Sequence, residues 1–171
     1  MKIVVLNGSP RINGNTAKLI EEFKVGAEVA SHEVKVILAG ALNIKGCMGC
    51  EACHNIGAKG CVIKDDMNMV YEEIKDADMI VLASPVYYFG LTGQLQNTIS
   101  RFYSVDKIKK VNKYALMLTS YSPDVYDAIV LQYNKLVSYF NAESLGIITA
   151  AGAERGSEQK LKEVYNFGRN L

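Results

Sequence analysis

Apolar residues in this chain fall into two alternating patterns. Short runs rich in apolar residues recur near residues 2–7, 33–39, 78–84, 114–120 and 145–150. Three of them, around Ile3–Leu6, Met79–Ala83 and Ala115–Leu118, contain no polar residue. A run of this length closed by turn-forming residues fits a strand covered on both faces. Between the runs, at 16–30, 66–76, 93–104, 123–141 and 156–168, apolar residues recur at helical spacing. In the first of these segments Ala17, Ile20, Phe23 and Ala27 would share one face and pack on the sheet. Strands alternating with helices predict an α/β architecture, an open parallel five-stranded sheet with helices on both faces.

The flavodoxin-like strand order 2-1-3-4-5 is the leading topology for such a chain. It puts a ligand crevice at the C-terminal strand ends, where the first and third strands diverge. Residues 1–16, MKIVVLNGSPRINGNT, suit that place. A buried strand runs into a polar loop and then a helix, whose free N–H groups and positive dipole end attract an anion. Ser9, Arg11, Asn13, Asn15 and Thr16 offer hydrogen-bond donors, and Gly8 and Gly14 would let the backbone approach a ligand. The loop has neither the G-x-G-x-x-G dinucleotide fingerprint nor the G-x-x-x-x-G-K-[ST] triphosphate loop. Hydroxyls, amides and one arginine suit a terminal phosphomonoester such as that of FMN. Helix capping by Ser9 and Thr16 would account for one or two of these residues, not all five.

The same topology requires the segment after the third strand to touch the ligand. Ser84–Gly93 is dense in aromatics, with Tyr87, Tyr88 and Phe89 adjacent, enough to line a planar ligand and also to serve a subunit interface. Ser120, Tyr121, Ser122 and Pro123, after the fourth strand, form the third wall.

Composition narrows the class. The 171 residues make a single-domain length, 49% are hydrophobic and 22% charged, and the formal net charge is +1. Nothing in that balance calls for nucleic acid or an anionic membrane as partner, and the basic run Lys107–Lys110 reads as a solvated turn. No apolar stretch approaches a membrane span, and the first run is too short for a secretory signal. A cytoplasmic location, with reduced or metal-bound cysteines, is expected.

All four cysteines lie in the long connection at about 40–65, in the spacing Cys47-x2-Cys50-x2-Cys53-x7-Cys61. Structureless loops of that length are uncommon and usually functional. Glycines at 46, 49, 57 and 60 would let the chain wrap around something small. The first three spacings match a bacterial ferredoxin run for a [4Fe–4S] cluster, whereas the fourth does not. Zinc more often takes two C-x2-C pairs. Cluster, zinc and free thiols all stay open. Because the loop follows the second strand, it should emerge at the sheet edge that carries the phosphate loop. His54 reads as an exposed or interface residue, His32 as a surface residue, and Asp65-Asp66 as a helix cap with a first-turn carboxylate. No catalytic triad or carboxylate pair stands out, which fits redox chemistry carried by a cofactor.

GSPRINGNT at 8–16, GCMGCEAC at 46–53, GCVIKDDM at 60–67 and SPVYYFGLTGQLQNTISR at 84–101 together resemble the NAD(P)H-dependent FMN reductase-like flavodoxin-fold family, in its iron–sulfur flavoprotein-like branch. The resemblance covers about residues 1–155. It implies an oxidoreductase in which reduced nicotinamide, NAD(P)H, reduces FMN, and electrons pass on to a quinone, flavin, nitro or azo compound, or protein acceptor. Ser9, Arg11, Asn13, Asn15 and Thr16 match the family's phosphate loop. Pro85, Val86, Tyr87, Phe89 and Gly90 match the segment that holds the ribityl chain and isoalloxazine, and Ser120 is assigned to the third wall. Cys47, Cys50, Cys53 and Cys61 match the motif that ligates a cluster where one is present. A homodimer or dimer of dimers is implied as well. Gln96 and Ser100 depart from the Lys and Asp often found at these places, which removes a helix partner for Arg101. The rival classes are a non-enzymatic flavodoxin-type electron carrier and a zinc-held binding module.

Overall fold

The computed structural model describes residues 1–55, 60–104 and 108–171. Strands β1 (Lys2–Asn7), β2 (Glu33–Ile37), β3 (Met79–Pro85), β4 (Lys113–Ser120) and β5 (Glu143–Ala151) form one parallel sheet in the order β2-β1-β3-β4-β5. This is the flavodoxin-like order expected from the alternation. The two-residue period of the inner strands sorts their side chains into two cores. Ile3, Val5, Met79, Val81, Ala115 and Met117 face α1 (Asn15–Val29) and α5 (Glu158–Arg169). Val4, Leu6, Ile80, Leu82, Leu116 and Leu118 face α2 (Met67–Ile74), α3 (Gly93–Ser100) and α4 (Asp127–Tyr139). Burial on both faces is why these runs read as unbroken apolar stretches, whereas β2 lies at an edge and alternates.

Helix α1 buries Ile20, Phe23 and Ala27 as its periodicity predicts, with Leu19, while Ala17 is only half-buried. Its contact with α5 is unusually close. A Cβ on Gly26 would lie 2.1 Å from the Tyr165 carbonyl oxygen, and one on Gly168 would lie 2.3 Å from that of Phe23. Gly8 also serves packing: a Cβ there would meet Leu95 Cβ at 2.7 Å and Thr92 Oγ1 at 2.8 Å.

Several boundaries differ from the sequence pattern for local reasons. Strand β2 stops at Ile37, since the chain turns into a 3-10 segment at Ala39–Ala41. Helix α3 ends at Ser100, where a 3-10 turn at Arg101–Tyr103 takes over. Helix α4 starts only at Asp127, because Pro123 and the left-handed Asp124 (φ 60°) hold the preceding residues in a turn. The basic run is not simply solvated: Ile108 is buried and Lys110 Nζ donates to the Asp76 carbonyl at 2.8 Å, while Lys107 lies outside the described residues. His32 is half-buried against the N-terminal amine of Met1, 3.1 Å from Nδ1, and not a free surface residue. Burial, then that amine's charge, depresses its pKa. Among the described residues no helix is long and apolar enough to cross a membrane.

Candidate active site

The C-terminal ends of β1, β3, β4 and β5 open onto one cleft of about 700 Å³, within the range of small-molecule sites. Its first wall is the loop from β1 into α1. That loop is organised by its own polar atoms: Asn7 Oδ1 accepts from the Ser9 N–H (2.9 Å), and Ser9 Oγ accepts from the Arg11 N–H (3.1 Å). The N-cap of α1 is Gly14, which has no side chain to cap the helix, and the first turn carries no carboxylate. By contrast, Thr92 caps α3 and Ser157 caps α5. The leading N–H groups of α1 and its positive dipole end are thus left for an anion. Arg11 and Asn13 are exposed beside them and Asn15 is half-buried. The buried Ser9 and Thr16 hydroxyls already have partners, Ser9 with the Arg11 carbonyl (3.2 Å) and Thr16 with Thr119 Oγ1 (2.8 Å). The Ser9 and Thr16 hydroxyls thus brace the loop, while the Arg11 guanidinium and the amides of Asn13 and Asn15 border the cleft.

The second wall is the segment after β3. Pro85, Val86 and Tyr87 line the cleft. Tyr87 and Gly90 then exchange two backbone hydrogen bonds, at 3.0 and 3.1 Å, around a tight turn. The turn residues Tyr88 (φ 47°) and Phe89 (φ 62°) both sit in the left-handed region, which bulky side chains rarely enter. This reversal exposes Tyr88 almost fully, at 99%. It also turns Phe89 toward an adjoining groove with Val125 and Ser122. Phe89 and Gly90 therefore fall outside the cleft, whereas the other nine expected residues, Ser120 included, line it.

The third wall includes Ser120 and Tyr121 as expected, while Ser122 and Pro123 fall outside the cleft, and it adds Thr119, which the sequence pattern did not single out. Arg155 comes from the 3-10 turn at Gly152–Gly156 after β5. Its Nε–H donates to the Gly152 carbonyl at 2.6 Å, and its guanidinium stands 5.7 Å from the Tyr121 ring centre. No motif marks Arg155; the available signal was only that a loop following a parallel strand must open at this edge.

The cysteine loop lies elsewhere. None of the four cysteines lines the cleft. Cys47 N–H donates to Ser100 Oγ (3.0 Å) at the end of α3, whereas Thr92 at the start of α3 donates to the Gly8 carbonyl (2.8 Å). Eight residues of helix, about 12 Å of rise, separate the two attachments. The loop starts at the expected sheet edge and runs along α3, docking by Cys47 at the end of that helix far from the Gly8 contact. Cys47 and Cys50 are exposed, Cys53 and Cys61 half-buried. Burial pushes the Cys53 thiol pKa up, against its backbone hydrogen bond, and the charges of Cys61, Cys47 and Cys50 add to the rise. Among the described residues no three ligating side chains converge into a metal site. Gly49 (φ 64°), Glu51 (φ 58°) and Gly60 (φ 100°) supply the left-handed bends, and Gly57 lies outside the described residues. His54 is exposed as expected, its Nε2–H donating to the Tyr103 carbonyl (3.0 Å) and its ring packed edge-on to the Tyr103 ring.

The family model described as NADPH-dependent FMN reductase matches residues 1–160. The chain belongs to that family. It is 34% identical over 126 residues to an iron-sulfur flavoprotein of Archaeoglobus fulgidus, a match covering 73% of this chain and 58% of that one. It is 35% identical over 101 residues to an iron-sulfur flavoprotein of Methanocaldococcus jannaschii, covering 59% and 51%. The chain spans about half the length of the curated relatives it matches. Among solved structures, an NAD(P)H:quinone oxidoreductase from Methanothermobacter marburgensis superposes with a TM-score of 0.78 at 16% identity, over 100% of this chain and 96% of that one. That likeness establishes the flavodoxin-like fold of this FMN reductase family member.

Proposed function

We propose that this chain is an FMN-dependent NAD(P)H oxidoreductase, delivering electrons to a quinone, flavin, nitro or azo compound, or to a protein acceptor. The observation that carries this reading is the uncapped N-terminus of α1 with Arg11, Asn13 and Asn15 beside it, opening on a cleft whose other walls are Pro85–Tyr87 and Thr119–Tyr121. The α1 amides and Arg11 would hold the phosphate, and Val86 and Tyr87 would flank the planar ring system. Bound FMN supplies hydride uptake from reduced nicotinamide and electron release to an acceptor. The chain's contribution is to orient and shield it. Purified protein loaded with FMN should oxidise NADPH or NADH with a quinone in steady state. Flavin that is reduced only by a protein partner, without nicotinamide turnover, would favour the electron-carrier reading instead.

We also propose Cys47, Cys50, Cys53 and Cys61 as the ligand set of a [4Fe–4S] cluster. Four thiols spaced Cys47-x2-Cys50-x2-Cys53-x7-Cys61 match that cluster's donor chemistry, and two of the matched relatives are named iron-sulfur flavoproteins. Anaerobic reconstitution with iron and sulfide should fill the site in wild type and fail in Cys50→Ala. Bound zinc, or free thiols, are the outcomes that reject it. The exposed Tyr88 and Phe89 are proposed as a subunit contact of a homodimer or dimer of dimers, which light scattering tests directly.

A further inference from the structure

The end of α3 grips the cysteine loop at both of its limbs. Asn97, Ser100 and Arg101 stand three and four residues apart, so their side chains share one helical face. Asn97 Nδ2 donates to the Ile44 carbonyl (3.0 Å), Arg101 Nη1 to the Lys45 carbonyl (3.0 Å), and Ser100 Oγ accepts from Cys47 N–H (3.0 Å). These contacts fix the limb entering the loop. Arg101 also reaches the limb leaving it, donating from Nη1 to Asp65 Oδ2 (2.8 Å) and, in a long contact, from Nη2 to the Ile63 carbonyl (3.5 Å). Asp65 closes the clasp, because Oδ2 accepts from Lys45 N–H (2.9 Å) and Oδ1 from Met67 N–H (3.1 Å). The segment bearing all four cysteines is pinned at its base by one ion pair, with side chains 1% and 2% exposed.

That clasp is more than mechanical, since one of its atoms is unspent. Arg101 Nε–H is buried with no hydrogen-bond partner among the described residues. An orphaned buried donor of this kind is costly and calls for an explanation. Among the described residues the titratable groups that act on the guanidinium include Asp65, the Cys61 thiol and the Tyr71 phenol, whose pKa burial pushes up to about 12, so that the phenol stays neutral. Tyr71 spends its proton on the Arg101 carbonyl at 2.8 Å. The Asp65 carboxylate is shared with two backbone N–H groups, so it neutralises Arg101 only in part.

We propose that Arg101 is the positioning residue of the cysteine centre: it joins the two limbs of the loop and sets a buried positive charge beside the thiolate set at Cys61. The proposal rests on the cluster-ligand reading above. A positive charge there favours the more negative, reduced state of a thiolate-bound cluster, so losing it moves the potential down.

The test is anaerobic reconstitution of wild type, Arg101→Lys and Arg101→Met, followed by iron and sulfide analysis and a redox titration of the centre. FMN binding is the check on folding. Should Arg101→Met fail that check because Asp65 is left as a lone buried charge, the double variant Arg101→Met/Asp65→Asn replaces it. The expected result is unchanged FMN affinity, lowered cluster content, a clearly more negative potential without the guanidinium, and partial recovery of both in Arg101→Lys. A purely structural clasp would lower occupancy and leave the potential where it was, and that result overturns the proposal. Equal content and potential in all variants also overturns it while leaving the ligand set standing. A wild type that takes up no cluster rejects the ligand reading itself, and the proposal with it.

Discussion

Arg11 stands exposed at the cleft, with no carboxylate paired to it among the described residues. Its role is thus separable from the fold, which makes it the sharpest residue-scale test of the phosphate cradle. Arg11→Ala should weaken FMN by about 1.5–3 kcal/mol, roughly 10- to 150-fold in Kd, read by flavin fluorescence titration. Arg11→Lys should recover only part, because an ammonium cannot present the guanidinium's fork. An unchanged Kd would move the phosphate elsewhere. Tyr88 poses the opposite case, a residue that the local backbone disfavours. A left-handed non-glycine residue costs about 1–2 kcal/mol, and glycine's extra unfolded-state entropy returns about 0.5–1 of that. With the ring almost fully exposed, no packing among the described residues offsets the strain. Tyr88→Gly should therefore stabilise the chain by roughly 0.5–1 kcal/mol, seen as a higher urea midpoint at unchanged slope. A lower midpoint would mean that the ring is held by something outside the single chain, such as a second subunit.

At the scale of elements, α1 and α5 approach until backbone meets backbone at Gly26 and Gly168. Alanine is the better helix former by about 1 kcal/mol, so propensity alone predicts that Gly26→Ala stabilises. The clash argues otherwise. A Cβ at 2.1 Å from the Tyr165 carbonyl must push the two helices apart, and overpacking of that kind costs about 1–3 kcal/mol or more. Net destabilisation is expected, measured as a lowered urea midpoint; a gain would show that the helices can separate freely. Which elements form was legible in the sequence, because strands buried on both faces must be continuously apolar and α1 must present a periodic stripe. Which elements touch was not. Gly26 and Gly168 are over a hundred positions apart and carry no periodic signal. The phosphate loop could be read because its chemistry is local, with donors, glycines and helix start inside ten residues. Arg155 could not, since only the sheet's three-dimensional edge brings it to the cleft. The same limit explains the cysteine loop. Its ligands are evident from spacing, but its docking at the far end of α3 depends on Ser100 and Arg101, and Arg101 finds in Asp65 a partner outside its own helix. The segment Asp65-Asp66 reads as a helix cap, and Asp65 does accept from Met67 N–H, yet its larger role is long-range.

For the molecule as a whole, two carboxylates tie together segments remote in sequence. Asp65 joins both limbs of the cysteine loop to α3, and Asp78 accepts from the Lys2 N–H at 2.8 Å at the start of the central strands, with Lys110 Nζ 3.2 Å away. Burial pushes the Asp65 carboxyl pKa up, but the hydrogen bonds from Arg101, Lys45 and Met67 outweigh it and hold the group below the ordinary carboxylate range. For Asp78 the Lys2 N–H is the leading cause of the same downward shift, opposed by burial and aided by Lys110. Each group thus binds its proton less readily folded than unfolded. The stabilisation it contributes is complete above the unfolded carboxyl pKa and is lost as pH falls through the lower, folded value. The share of stability carried by these two carboxylates should accordingly hold level through neutral pH and fall on acidification below the ordinary carboxylate range. Asp65→Asn separates the two contributions. It leaves the Arg101 charge buried without its counter-ion, so about 3–5 kcal/mol should be lost at neutral pH. The acid-dependent share belonging to Asp65 should vanish with it, and the two unfolding curves should converge as pH drops. Urea midpoints measured from neutral pH into the acid range decide the point: a variant that keeps the wild-type slope against pH would mean that Asp65 does not carry the acid sensitivity of the fold.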